Sequence, residues 1–390
     1  MSIELILPGC FAALALAIGL YSISVRQGAA AWWLLAGGIA LAVVTASLLG
    51  HSWTSTILLD VAELAAVALV RLRGTPEAAR AARLYLYSIV PAIACTLAGL
   101  AIVGTGGEAP WPILQKLAVC LLVVGFALKL GLVPFYFWLP EVAAKAAPMT
   151  AALVISLVDI ATFSELAGLR EIAPWIFERY APVWTAIALI SMAGGALLAL
   201  AQSELKRMLA FSSVTDLGLL LLGVVAGGVG LTGAWVGALN HALSKVLLFG
   251  AVGIAAQRIG RPVTLDTRGL AKAMPLASAA FVIGAFGLIG VPPGFGFAGY
   301  WRLYTAAAQY GGPPLIACLV AVAALDLLCY ARAIHRTWYG SAPVTLVSQQ
   351  PAYLAGGVLT CLAVGEVLLG LWPDVLTGLA SPVVAQALLH

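Results

Sequence analysis

The stretch ILQKLAVCLLVVGFALKLGLVP, residues 113–134, is an apolar run with a lysine, Lys129, deep inside it. About 20 apolar residues are enough to cross a bilayer as an α-helix, and similar runs recur along the whole chain. The sequence is 63% hydrophobic and only 9% charged, with a mean hydropathy of +1.06. Soluble proteins carry about 25% charged residues. The composition therefore excludes a soluble enzyme, a nucleic-acid-binding protein and a secreted disulfide scaffold.

The apolar runs predict an all-α polytopic membrane protein with about 12 transmembrane helices. The runs are continuous, whereas the strands of a membrane β-barrel alternate between apolar and polar residues. We place the spans near residues 4–25, 31–50, 55–73, 84–104, 113–134, 149–169, 182–201, 207–228, 231–257, 275–301, 313–334 and 352–372. The tail at 374–390 is apolar, and we expect it to be too short to span.

Basic residues fall mainly in alternate connections between the spans. Of the 20 Lys and Arg residues, 14 lie in the odd-numbered connections, counted one to eleven along the chain. They are Arg26; Arg71, Arg73, Arg80 and Arg83; Lys145; Lys206 and Arg207; Arg258, Arg261, Arg268 and Lys272; and Arg332 and Arg336. Because cytoplasmic connections are enriched in Lys and Arg, we expect these connections in the cytoplasm and both termini outside. The expected location is a cell membrane, the bacterial inner membrane.

Two of the predicted spans are interrupted. Gly131, Pro134 and Pro140 break the fifth span, and Pro292 and Pro293 break the tenth. Paired broken helices in corresponding halves are typical of transporters built from inverted repeats. We divide the single transmembrane domain, residues 1–390, into a first five-helix repeat at 31–170, a second at 182–336, and a C-terminal helix and tail at 352–390.

Ionisable residues inside the spans are the candidate functional residues. Each costs at least about 2.5–3.5 kcal/mol at the centre of a bilayer, so such residues usually face a polar interior and take part in transport. Acids and bases both occur, so opposite charges can offset one another between helices. The candidates are Glu63, Lys129, Asp159, Glu165, Asp216, His241, Lys245, Asp326 and Glu366.

Two groups among these candidates suggest proton transfer. Glu63, with Asp60 one turn before it, and Lys129 form an acid and a base of the first half. Burial disfavours a charged lysine and a nearby carboxylate favours it, so a moving partner can make a lysine gain or lose its proton. His241 and Lys245 are four residues apart and share a helix face, which indicates a relay. The alternatives are an acid near a helix end that reaches the membrane surface for Glu63, a structural ion pair for Lys129 and a purely structural histidine for His241.

Asp159 lies between Ser156 and Thr162 at intervals of three residues, so the three share one polar face. Their alternative role is hydrogen bonding between helices. Together, the ionisable residues predict a chain of proton-carrying groups along the membrane plane. A sugar or drug transporter would need a roomy binding pocket, and an ion channel would need a selectivity filter. The sequence shows neither the pocket-lining residues nor a filter motif.

Several segments resemble one known family. They are LLDVAELAAVALVRLRGTPEAARAARLYLY (58–87), KLGLVPFYFWLPEVAAKAAPMTAAL (129–153), QSELKRMLAFSSVTDLG (202–218), GALNHALSKVLLFG (237–250) and GVPPGFGFAGYW (290–301). The sequence resembles the antiporter-like, proton-conducting membrane subunits of respiratory complex I, related membrane-bound hydrogenases and multisubunit cation/proton antiporters. The resemblance covers roughly residues 55–340. It implies two inverted five-helix repeats, and it implies that two N-terminal helices of the fourteen-helix family pattern have no counterpart here.

The resemblance also implies residue roles. Glu63 matches the membrane glutamate of the family, Lys129 the first-half lysine, and His241 with Lys245 the second-half relay. Two positions depart from the pattern. Asp159 stands where the family often has lysine or histidine, and Tyr300 stands where a lysine or glutamate is expected after the break.

The expected function is therefore proton translocation by one membrane subunit of a complex I-like NADH:quinone oxidoreductase or a membrane-bound hydrogenase. We expect no catalytic centre and no cofactor in this chain, and we expect other membrane subunits, the lipid bilayer and protons as partners, with no nucleic acid. The relay would comprise Glu63, Lys129, Asp159, His241 and Lys245. Pro134, Pro292 and Pro293 would mark the breaks, with Tyr300 and Asp326 as a candidate exit. Sodium/proton exchange, supported by Asp60 and Asp159, and a non-conducting assembly role are the alternatives.

Overall fold

A computed structural model describes residues 3–25, 29–104, 111–340, 346–347 and 353–372. These residues are almost entirely helical, and their one β-type contact is an isolated bridge between Glu204 and Thr264. The predicted C-terminal tail at 374–390 lies outside the described residues.

Eleven helices in the described residues are long and apolar enough to cross a bilayer. They are α1 Ile3–Ser24, α2 Ala30–Leu48, α3 Trp53–Arg71, α4 Pro76–Val103, α5 Pro112–Lys129, α7 Pro148–Ile172, α9 Ala181–Ala201, α10 Leu205–Ala226, α11 Gly228–Ile259, α14 Gly296–Trp338 and α15 Tyr353–Leu371. The shorter helices are α6 Trp138–Lys145, α8 Trp175–Glu178, α12 Leu270–Ala273 and α13 Pro275–Ile289.

The predicted tenth and eleventh spans are divided differently in the structure. The tenth was expected to run over 275–301, but α13 ends at Ile289, and α14 begins at Gly296 after the break. α14 then continues through a kink at Gly312, whose φ is +62°, where Pro313 and Pro314 follow. A proline removes a backbone donor and sets the direction of the chain, so the kink separates the two parts of α14. α13 has only 15 residues, which is too short for a span, and α14 counts as one helix across its kink. The described residues therefore contain eleven helices long enough to span a bilayer, instead of about twelve.

Five of the odd-numbered connections, the third to the eleventh, share one face of the bundle. Arg73 donates to the carbonyl of Lys145 at 2.6 Å, and Lys206 donates to the carbonyl of Ala144 at 2.7 Å. Backbone N–H groups continue this face: Leu265 donates to Ser203, and Val347 to Arg258, each at 2.9 Å. Spans that cross the membrane in alternating directions bring every second connection to the same face, and these contacts have that pattern.

The centre of the bundle is formed by α7, α10 and α11. The apolar stretches of α10 and α11 are 94% and 100% buried, whereas those of α2 and α15 are only 28% buried. Polar side chains on the central helices therefore face other helices and not lipid, which is the placement that ionisable groups need in a membrane.

The first break lies between α5 and α6, at residues 130–137. Gly131 has a φ of +62°, which a residue without a Cβ adopts easily. The Trp138 indole donates to the carbonyl of Leu128 at 2.9 Å, and the N–H of Val133 donates to Ser191 Oγ at 3.0 Å. Neighbouring side chains thus satisfy backbone groups that the break releases.

The second break, at residues 290–295 between α13 and α14, has the same form. Gly290 has a φ of +76°, and Asn240 Nδ2 donates to the carbonyl of Gly287 at 3.1 Å. The interruptions at residues 130–137 and 290–295 contain Pro134, and Pro292 and Pro293, respectively. The boundaries of the two repeats stay a prediction.

The tight contact between α9 and α10 gives a test of the packing. A Cβ at Gly195 would lie 2.6 Å from the backbone nitrogen of Thr215. Gly195→Val should therefore lower the melting temperature in detergent, because overpacking costs about 1–3 kcal/mol. Gly38→Val is the matched control, since nothing lies within 4 Å of a Cβ there. Equal melting temperatures for the two variants would contradict this packing.

Candidate functional site

Lys129, the last residue of α5, is surrounded by three carboxylates in the interior of the bundle. Its Nζ lies 2.6 Å from Asp60 Oδ1, 3.4 Å from Glu63 Oε2 and 3.5 Å from Glu165 Oε2. All four residues are buried; Lys129 and Glu63 are only 2% and 1% exposed. We call these four residues the first cluster.

Local sequence explains how the first cluster forms. Asp60 and Glu63 are three residues apart on α3, so both carboxylates lie on one face. Lys129 is at the C-terminal end of α5, where the partial negative charge of the helix favours an ammonium group. On α7, Thr162 donates to Glu63 Oε1 at 2.7 Å, and Glu165 follows three residues later. Three helices that each carry an ionisable group thus meet at the first break.

The first cluster has more acids than bases. Asp60 Oδ2 and Glu165 Oε1 have no hydrogen-bond partner among the described residues. With every group ionised, three carboxylates and one ammonium would leave an excess of negative charge in a medium that disfavours it. Uptake of a proton therefore reduces the excess of negative charge in the cluster, which suits a group that loads and unloads protons.

A cavity lined by both apolar and polar side chains reaches the first cluster. It has a volume of about 570 Å³, and Glu165 is part of its wall together with Ser55, Thr56 and Ser164. A single water molecule occupies about 30 Å³ in the liquid, so the cavity has room for many. Its other lining residues include Gly50 and the following residues of the α2–α3 connection, on the face opposite the basic connections. Water can thus approach Lys129 through Glu165.

A second lysine is held by α10 and α11. Asp216 Oδ2 lies 3.4 Å from Lys245 Nζ and 3.2 Å from His241 Nδ1. Lys245 also donates to Ser212 Oγ at 2.6 Å and to the carbonyl of Leu209 at 3.0 Å. Ser212 and Asp216 are four residues apart on α10, as His241 and Lys245 are on α11, so two matching faces meet. We call Ser212, Asp216, His241 and Lys245 the second cluster.

The second cluster continues towards α14. Tyr300 donates to Asp216 Oδ1 at 3.4 Å, and the hydroxyl groups of Ser212 and Tyr330 are 2.8 Å apart. Asp216, Tyr300 and Asp326 also line a cavity of about 20 Å³, enough for roughly one water molecule. Asp326 Oδ1 has no hydrogen-bond partner among the described residues. An acid on α14 is therefore one small cavity away from the second cluster.

α7 touches both clusters. Thr162 and Glu165 contact the first cluster, and the carbonyl of Ile155 lies 3.3 Å from His241 Nε2 of the second. Ile155 belongs to a π-helical segment, Leu153–Val158, and at 1.5 Å per residue it is about 15 Å along the axis from Glu165. Asp159 lies between these contacts, 1% exposed, with Oδ2 unpartnered among the described residues.

A sequence model of the family described as NADH:quinone oxidoreductase/Mrp antiporter, transmembrane, matches residues 109–325, which is more than half of the chain. This chain belongs to that family.

Curated relatives have related names. "NADH-quinone oxidoreductase subunit N 2" of Solidesulfovibrio magneticus is 32% identical over 272 residues, which are 69% of this chain and 57% of that protein. "Formate hydrogenlyase subunit 3" of Escherichia coli is 31% identical over 252 residues, 56% of this chain and 40% of that protein. The match thus covers less than two thirds of the length of these relatives.

Solved structures share the fold. A chain of respiratory complex I from Thermus thermophilus aligns with a TM-score of 0.81 and 27% identity over 96% of this chain and 86% of that chain. A chain of the Mrp complex from Dietzia sp. aligns with a TM-score of 0.82 and 23% identity over 95% and 82%. The predicted all-α, multi-pass antiporter-like fold is confirmed.

In this family member, the structure joins the predicted residues into two groups. Glu63 and Lys129 meet in the first cluster, and His241 and Lys245 meet in the second. Asp159 lies between the clusters without an ion pair within 4.0 Å among the described residues. The predicted roles of these residues in proton transfer stay predictions.

Three acids make ion pairs in the structure that the sequence did not predict. Asp60 is the acid closest to Lys129, Glu165 belongs to the first cluster, and Asp216 joins His241 to Lys245. Residue spacing was the one indication of these contacts in the sequence, because Asp60 shares a helix face with Glu63, and Asp216 shares one with Ser212. The pairing between helices has no counterpart in the sequence pattern.

The ion pair between Lys129 and Asp60 can be tested with a double-mutant cycle. Lys129→Met should destabilise the protein by about 3–5 kcal/mol, because it leaves buried carboxylates without a counter-ion. Adding Asp60→Asn should recover part of that loss, so the two effects will not add. The readout is the free energy of unfolding in detergent.

A control pair is available at the surface. Arg336 and Asp266 are 4.0 Å apart with side chains 44% and 84% exposed, and their cycle should give a coupling below about 1 kcal/mol. Additive effects for Lys129 and Asp60 would show that this buried pair is not formed.

Proposed function

We propose that this chain is the proton-translocating, antiporter-like membrane subunit of a redox-driven complex of the complex I-like or membrane-bound hydrogenase type. The observation that carries the proposal is the ammonium of Lys129, which lies among three buried carboxylates beside a broken helix and a cavity that Glu165 lines. Membership of the family and the names of its relatives support the same conclusion.

The proton path follows from the contacts. A proton held by Lys129 passes by Glu63 and Thr162 towards Asp159. It continues to His241, which contacts α7 at the carbonyl of Ile155. Lys245 and Asp216 then hold it, with Tyr300 and Asp326 towards the exit.

Movement of charge drives each transfer. A positive charge that approaches from a neighbouring subunit draws the carboxylates away from Lys129. The ammonium is then a charge in a low-dielectric interior without a counter-ion, so it gives up its proton to the next acceptor. When the carboxylates return, the amine binds a proton again.

Electron transfer belongs to the partners in this proposal. No group of three or more His, Cys, Asp or Glu residues in the described parts of the chain has a geometry that could hold a metal ion. We assign the coupling signal to other membrane subunits. The basic connections would face the cytoplasm of a bacterial inner membrane, with both termini outside, and the cavity beside Glu165 would then open on the outer side.

Lys129→Ala in the reconstituted complex tests the proposal. Electron transfer should continue while proton translocation is lost, because the first cluster has lost its proton-carrying base. The readout is the pH change inside vesicles per electron transferred. Lys116→Ala is the matched control, because Lys116 lies exposed near the start of the same helix.

Two results would point elsewhere. Full pumping by Lys129→Ala would refute the proposed role and favour a non-conducting assembly subunit. A pH change that requires sodium in the wild-type vesicles would favour sodium/proton exchange.

The cavity can be tested separately. Ser164 is part of its wall, next to Glu165, and its hydroxyl donates to a carbonyl of its own helix, that of Ala161. Ser164→Leu should slow proton translocation by filling the cavity without removing an ionisable group, whereas Ser164→Ala should translocate normally. Equal rates in the two variants would show that protons do not use this cavity.

A further inference from the structure

Glu366 is a buried acid on a helix at the edge of the bundle. α15, which carries it, is only 28% buried over its apolar stretch, yet Glu366 itself is 0% exposed. No Lys, Arg or His of the described residues lies within 4.0 Å of it, and its nearest polar groups are the Phe295 backbone and the Ser244 hydroxyl, neither in good hydrogen-bond geometry. A structural ion pair does not explain why this acid is inside the protein.

The carboxyl group of Glu366 points at the last part of α13. A methyl group added to Gly287 would collide with Glu366 Oε1, Ser244 Oγ and Asn240 Oδ1. Three oxygen atoms from α15 and α11 therefore converge where Gly287 has no side chain. Ser244 donates to Asn240 Oδ1 at 3.4 Å, so its oxygen can accept a hydrogen bond from a protonated carboxyl group. We call Asn240, Ser244 and Glu366 the oxygen trio.

The oxygen trio lies at the second break. Gly370, one turn after Glu366, packs directly on the Pro293 carbonyl and on the backbone of Gly294 and Phe295. No side chain would fit between α15 and the break at that point. The helix that carries Glu366 therefore closes the break, and Glu366 lies beside it.

The oxygen trio is also next to the second cluster. Asn240 and Ser244 each precede a member of that cluster, His241 and Lys245, by one residue on α11. The buried or half-buried ionisable side chains on the helices that pack against α15 are Cys10 and Tyr21 of α1; His241, Lys245 and Arg258 of α11; and Tyr300, Arg302, Tyr304, Cys318, Asp326, Cys329, Tyr330 and Arg332 of α14. α13 has none. Along α11, the base next to Ser244 is Lys245.

We propose that Glu366 is the proton-binding residue of the second break and receives its proton from the second cluster. Tyr300 stands where the resemblance leads one to expect a lysine or glutamate, and it donates to Asp216 instead of facing the oxygen trio. In the transfer, Lys245 loses a proton and becomes neutral, and the carboxylate of Glu366 gains it and becomes neutral. The Ser244 hydroxyl lies beside the accepting oxygen. This inference rests on the proposed function and adds a residue to it.

Glu366→Gln in the intact reconstituted complex tests this proposal. Glutamine has nearly the same size but cannot release a proton, so proton translocation should be lost while electron transfer and assembly are kept. Thr360→Val is the matched control on α15, because its hydroxyl donates only to the carbonyl of Gly356 in its own helix. Pumping at the wild-type rate in Glu366→Gln would overturn the proposal.

Infrared spectroscopy provides a readout that a purely structural role would not change. The wild-type complex should show a carbonyl band of a protonated carboxylic acid that is absent from Glu366→Gln and present in Thr360→Val. Identical spectra in all three would overturn the proposal as well.

The results for the two variants distinguish a wrong role for Glu366 from a wrong proposed function. If Lys129→Ala stops pumping and Glu366→Gln does not, the proposed function stands and the role of Glu366 is wrong. If neither variant affects pumping, the proposed function itself fails.

Discussion

An ammonium group in the interior of a membrane protein needs counter-charge from other helices, and in this chain that requirement is met at Lys129. Its three carboxylate partners come from α3 and α7, while the lysine itself ends α5. The ion pairs therefore fix how three helices approach one another, and they fix it at the place where the backbone is interrupted. Without these acids, the lysine would have to face lipid or lose its charge.

The same arrangement occurs twice in related form. Lys245 is paired with Asp216 on an adjacent helix, as Lys129 is paired with Asp60. In both halves a Gly-x-x-Pro sequence interrupts a helix, and side chains of neighbouring helices satisfy the released backbone groups. α7 contacts both clusters, and a π-helical segment lies where it meets His241. Two lysine sites joined by one buried helix are a physical basis for moving protons along the membrane plane.

Much of the fold could be predicted because lipid imposes a simple rule on sequence: apolar runs of sufficient length become helices. The rule does not predict where a helix begins or ends, or where it is interrupted. α4 begins at Pro76 and not near residue 84, because Thr75 caps it by accepting from the N–H of Ala78, and Pro76 suits the first turn. The division of α13 from α14 depends on backbone geometry at Gly290, and the kink inside α14 depends on that at Gly312; hydropathy reports neither.

Part of the candidate site could also be predicted from what lipid excludes. Lys129 and Glu63 were recognisable because charges are rare in apolar runs. That Asp60 lies closer to Lys129 than Glu63 does depends on helix rotation, which one sequence does not encode in a readable way. Glu366 depends on a contact between α15 and α13, helices that are far apart in the chain and carry no matching pattern.

The most direct test of the account is an electron cryo-microscopy map of the chain in its native complex at a resolution that shows water. The account predicts the Lys129 amine among Asp60, Glu63 and Glu165, with ordered water in the cavity beside Glu165 and between Asp159 and His241. An amine that points into lipid, or a dry apolar region between the two clusters, would contradict it.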